Sequence, residues 1–151
     1  MAPKHADRQR VVALFASVVA EFANLTMGLD AEAVELTIPK QPGLDFDINI
    51  NLQGDELHLN AGTGFWLEWF PCTDGGVEAD FAESVRGLLS GQYRIVEQRR
   101  RGHVFKATLQ RPTKRGWQNN GTWIRPTWPA WRSTRTILQA DPTSMRRSSE
   151  N

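Results

Sequence analysis

A chain of 151 residues, 40% hydrophobic and 23% charged, has the size and composition of one ordinary domain that folds without metal or disulfide staples. Its single cysteine, Cys72, excludes a disulfide framework and any multi-cysteine zinc site. The formal net charge of +1 conceals a polarity: residues 1–90 carry 5 Lys and Arg against 14 Asp and Glu, whereas residues 91–151 carry 13 against 3.

The first periodic segment runs from about Asp7 to Met27. Val11, Leu14, Phe15, Val18, Val19, Phe22 and Leu25 recur at three- and four-residue spacing, which predicts a helix with one buried face. Asp7 suits its N-cap and Gly28 its C-terminal stop. Ala33 to Ile38 alternates as a short strand that Pro39 ends. Asp45 to Leu52 alternates strictly, with Phe46, Ile48, Ile50 and Leu52 inward, so Asp45 and Asp47 share its solvent face. Glu56 to Asn60 follows with His58 outward, and Phe65 to Phe70 is apolar on both faces except at Glu68. After a loop over Pro71 to Gly76, a second helix is predicted over about 77–90, with Val77, Phe81, Val85, Leu88 and Leu89 as its apolar stripe and Gly91 at its end.

Two further strands, Tyr93 to Arg100 and His103 to Arg111, form a hairpin around Arg101-Gly102. Gly116 to Arg125 adds an edge strand that Asn119-Asn120-Gly121 interrupts as a candidate second turn, and Thr134 to Leu138 adds a short last element. The fold class is therefore α+β: a mostly antiparallel sheet of five to seven strands, with two amphipathic helices on one face. In arrangement this is similar to the small helix-covered sheets of secretion chaperones. One domain is expected over residues 1–140, followed by a disordered tail over 141–151. Neither a run of 18 apolar residues nor a signal-peptide core is present, so a cytoplasmic location without membrane contact is expected.

Catalytic signals are sparse. Cys72 precedes a helix and His58 lies on a neighbouring strand, which is the minimum for a thiol nucleophile and base, but no nucleophile signature surrounds the cysteine. The three histidines lack metal-ligand spacing, and no phosphate-binding glycine loop occurs, so no cofactor or metal is expected. The basic, aromatic C-terminal half carries the functional lead, in Arg99, Arg100, Arg101, Arg115, Trp117, Trp123, Trp128 and Trp131. Arginine and tryptophan are enriched at protein interfaces, so a protein partner or self-association is the first expectation. Positive charge beside aromatic faces is also how single-stranded nucleic acid is held, and that is the alternative. A Cys72-dependent enzyme is the third.

Overall fold

The computed structural model describes residues 7–125 and 133–143. Helix α1 (Arg8–Ala20) starts where the Asp7 carboxylate accepts the backbone N–H groups of Gln9 and Arg10, which leaves two fewer amides unsatisfied at that end. It stops a full two turns before the Met27 that periodicity predicts. Phe22 and Leu25 still face inward, but successive tight turns (Phe22 N–H to Val19 O, Leu25 N–H to Phe22 O) carry them there rather than helix. Gly28 accordingly opens a strand instead of ending a helix.

Five strands follow as a meander: β1 (Gly28–Asp30), β2 (Glu35–Ile38), β3 (Ile48–Gln53), β4 (Glu56–Ala61) and β5 (Phe65–Trp69), each antiparallel to the last. Register places Leu36, Ile50, Leu59 and Leu67 in one row across β2 to β5, and the next rows on that face, Ile38, Ile48, Ala61 and Phe65 on one side and Leu52, Leu57 and Trp69 on the other, are equally apolar. Nearly all of these side chains are fully buried, each contributing about 1.5–3 kcal/mol of burial. Strand β2 begins two residues late, at Glu35, because Val34 takes φ +54, a left-handed conformation that costs a β-branched residue about 1–3 kcal/mol. Its buried side chain and the Leu52 N–H bond to its carbonyl hold it there. Asp45 and Asp47 lie before β3, not on it; Asp47 caps the turn by accepting the Lys40 N–H.

Helix α2 (Gly75–Ser90) is capped by Asp74, which accepts from Gly76 and Val77, and ends at Gly91 with φ +77. Phe81 ties the helices to this sheet, its ring 5.9 Å from Phe15 and 5.4 Å from Trp69. The ion pairs Arg10–Glu78 and Arg86–Glu21 run between the helical segments on the outside.

The remaining strands do not extend this sheet. They form a second one, β6 (Arg94–Arg100), β7 (His103–Thr113), β8 (Gly116–Ile124) and β9 (Thr134–Leu138), in the order β8-β7-β6-β9. The protein is thus α+β with antiparallel strands, as the pattern predicts, but divided into sheets of five and four rather than gathered in one. Arg101 and Gly102, with φ +51 and +79, make the two-residue hairpin turn expected between β6 and β7. The Asn119-Asn120-Gly121 interruption is not a turn. Between the pairs Thr108–Thr122 and Gln110–Asn119 one residue of β7 faces two of β8, so the strand bulges and continues.

The inner face of sheet 2 carries Ile95, Ala107, Leu109 and Leu138, all buried. It meets sheet 1 along β5, where Gly121 lies against Leu67 and Gly64 against Val104. The last described segment is tied in by Gln139 donating to Gly91 O and by the Asp141 N–H donating to Gly43 O, and residues 144–151 of the expected tail lie outside the described residues. Among the described residues no helix is long and apolar enough to cross a membrane.

Candidate binding surfaces

Charge segregation along the chain becomes segregation in space. Sheet 2 and its turns contain ten described Lys and Arg residues between Arg94 and Arg135 but one acid, Glu97, and that acid is buried. The ion pairs that hold Arg10, Arg86 and Arg99 do not bridge the two sheets.

The outer face of sheet 2 is set by register. Arg94, Val96 and Gln98 of β6 lie beside Gln110, Thr108 and Lys106 of β7, flanked by Trp117, Thr122 and Ile124 of β8 and by Arg135 and Ile137 of β9. Neither described helix covers this face. Trp117, Ile124 and Ile137 are 39%, 59% and 42% exposed there, a high level for such large apolar groups. The Arg94 guanidinium stacks on the Trp117 ring at 4.0 Å to its centroid. Burial, then the neighbouring Arg135, draw the Arg94 pKa down from its ordinary value, though an arginine remains charged at neutral pH.

The sequence-predicted residues therefore do not make one patch. Arg115 and Trp117 stand at the β7–β8 turn, whereas Arg99, Arg100, Arg101 and Trp123 stand at the opposite end of the sheet. A strand of that length separates the two groups by about 20 Å. Trp123 points to the inner face and is half-buried, and Trp128 and Trp131 lie outside the described residues.

At the Arg99 end a groove of about 760 Å³ separates the sheets, lined by Asn60 and Trp66 from sheet 1 and by Arg99, His103, Trp123 and Arg125 from sheet 2. Arg99 donates to Thr63 Oγ1 and Gly102 O at 3.4 Å and to Glu97 Oε1 at 3.3 Å, all long bonds. The second Glu97 oxygen, Oε2, is buried with no hydrogen-bond partner. Buried carboxylates rarely go half-satisfied, and each case calls for a reason.

Sequence reasoning missed a third constellation. Alternation along β4 and the register with β5 bring Glu56, His58 and Glu68 together on the outer face of sheet 1, with candidate ligand atoms within 4.8 Å of one another. Hydrogen bonding argues against a metal there. The Trp66 indole N–H donates to His58 Nδ1 at 3.0 Å, and an indole can only donate, so the ring proton sits on Nε2 and donates to Glu56 Oε2 at 2.9 Å. A metal at Nε2 moves that proton to Nδ1, directly against the Trp66 N–H. Period-two spacing of Glu56 and His58 was the available signal, but the Trp66 partner depends on the β4–β5 register.

The thiol–base arrangement does not assemble. Cys72 is buried beside the β3–β4 turn, its N–H donating to Asp55 O, while His58 is committed to Glu56 and Trp66 on the outer face. Burial, then the carboxylates of Asp55 and Glu78, push the Cys72 thiol up, the reverse of what a nucleophile needs. Compared with protein-family models, curated proteins and solved structures, the chain matches none.

Proposed function

We propose that this protein is a non-enzymatic binding domain that holds an acidic protein partner on the outer face of sheet 2, which neither described helix covers. The observation that carries the reading is the separation of charge: ten described basic residues and no exposed acid on one sheet and its turns, with Arg94, Lys106 and Arg135 on the outer face itself. Such a field steers an anionic surface into contact and disfavours wrong partners. Trp117 and Ile124 at the two ends of β8 and Ile137 on β9 supply exposed apolar contacts beside the charge. Two isoleucines cannot stack on bases, and one face of the Trp117 ring is taken by Arg94, so a protein fits this face better than single-stranded nucleic acid. A second copy of this chain, through its acid-bearing sheet 1, satisfies the same chemistry.

The test is a titration with three fluorescein-labelled probes: a 16-residue peptide of Asp and Leu, its Lys and Leu counterpart, and an oligothymidylate. Each is measured at 50 and 300 mM salt. The Asp–Leu peptide binds, survives the higher salt in part, and is lost with Ile137→Asp. Oligothymidylate binding that falls log-linearly with salt instead transfers the face to nucleic acid. If neither anionic probe binds and sedimentation shows a monomer at both salts, the reading is wrong.

A further inference from the structure

The groove at the other end of sheet 2 has a chemistry of its own, carried by residues that the outer face does not use. We propose that it binds a small anion carried on a flat apolar body, an aryl carboxylate or aryl phosphate. At about 760 Å³ it falls within the size range of small-molecule sites, and its lining alternates apolar walls with a few polar groups.

The cations come first. The Arg99 guanidinium has five N–H donors, and three are accounted for by Thr63, Gly102 and Glu97. Two remain without an acceptor among the described residues, as do all the side-chain donors of Arg125, which lines the groove from the same sheet on the far side of β7. A carboxylate or phosphate placed between them accepts from both forks, which is the geometry guanidinium groups recognise best. His103 lines the same mouth.

The walls come second. The Trp66 ring is fixed by its N–H bond to His58, so it offers the groove an apolar surface rather than a wandering donor. Trp123 lines the groove from sheet 2, and a flat ring packs favourably on an indole beyond its burial.

Glu97 gains its reason here. Its carboxylate lies beneath the groove floor, with its oxygens 3.8 and 3.9 Å from where a Cβ on Gly62 would stand, and out of reach of solvent. It touches no ligand; it holds Arg99 from below while the rest of the fork faces outward. Glu97 is therefore a positioning residue, and its unmatched oxygen is the cost of fixing that arginine.

Calorimetry with 2-naphthoate, 2-naphthyl phosphate and the neutral 2-naphthamide tests the assignment on the full chain. One or both anions bind with a sub-millimolar Kd, and the stronger of the two identifies the head group. The amide binds at least tenfold more weakly. Arg125→Gln, an exposed change that leaves the urea midpoint unmoved, weakens the anions about tenfold and leaves the amide unchanged. Glu97→Gln weakens them while Arg99 is retained, and an Arg94→Gln change on the outer face has no effect, which separates this site from the protein-binding face. Absence of anion binding at millimolar concentration, equal affinity for the amide, or full affinity in Arg125→Gln overturns the proposal. Should Glu97→Gln fail to fold, the Arg125→Gln result decides alone.

Discussion

The contact between the sheets makes a quantitative prediction at Gly121. Its φ of +126 is one that side chains rarely adopt, and a Cβ there would stand 2.3 Å from Leu67 Cδ1 and 3.2 and 3.3 Å from Cδ2 and Cγ. Gly121→Ala therefore meets two penalties. Backbone strain costs about 1–2 kcal/mol. Overpacking costs about 1–3 kcal/mol, towards the lower end because Leu67 is only partly buried and can change rotamer. A combined loss of about 2–4 kcal/mol, with a urea m-value of about 2 kcal/mol per molar, lowers the unfolding midpoint by about 1–2 M. Urea titration followed by tryptophan fluorescence reads it directly. Pairing the change with Leu67→Ala removes the clash but not the strain, so the double variant loses less than the two singles predict, by about 1 kcal/mol or more. If Gly121→Ala costs under about 0.5 kcal/mol, or if the two changes simply add, β8 does not approach β5 as described, and the groove between the sheets loses its frame.

Other outcomes follow from the same contacts. Arg94→Gln costs no more than about 1 kcal/mol of stability, as loss of one half-buried cation–π stack should, yet weakens the Asp–Leu peptide several-fold by fluorescence anisotropy. The Cys72 thiol and the Tyr93 phenol are both raised above their ordinary values of about 9.0 and 10.0, Cys72 by burial first and Tyr93 by burial and then its bond to Glu83. Above those values the unfolded chain has released protons that the folded chain keeps, so stability is full below about pH 8.5 and declines as pH climbs through the alkaline range. Urea midpoints at pH 8, 9.5 and 10.5 check the sign, and Cys72→Ala removes the earlier part of the decline. Equimolar zinc leaves the melting temperature of the parent unchanged but raises that of Trp66→Phe, because only there can His58 Nδ1 take the proton that frees Nε2 for the metal. Equal shifts in both proteins contradict the tautomer assigned to His58.

Local signals were readable wherever a single element decides the outcome. Asp7 as a cap, Gly91 as a stop, the Arg101-Gly102 turn and the alternation of β3 follow from backbone chemistry within a few residues. Errors arose where distant partners decide. Phe22 and Leu25 kept helical spacing because they face the core, although tight turns carry them there. Asn119-Asn120-Gly121 read as a turn because its glycine serves a bulge against Leu67, a residue of the other sheet. Of the candidate site, the basic character was legible, but its division was not. Arg99 and Trp117 lie only 18 residues apart, and the hairpin connections send them to opposite ends of one sheet. The groove unites Trp66 with Arg125 only through the packing of two sheets, and no periodicity encodes that.

Strand β9 has a consequence for the order of assembly. It pairs with β6, not with its chain neighbour β8, so the hairpin of β6 and β7 acquires its second flank only after the whole remaining sheet has been synthesised. Until then one row of backbone amides and carbonyls on β6, next to Ile95 and Glu97, stands open on the ribosome-bound chain. A nascent or shortened chain that ends before Thr134 displays that row to any strand nearby, and premature termination in this stretch thus yields a template for chain-to-chain pairing.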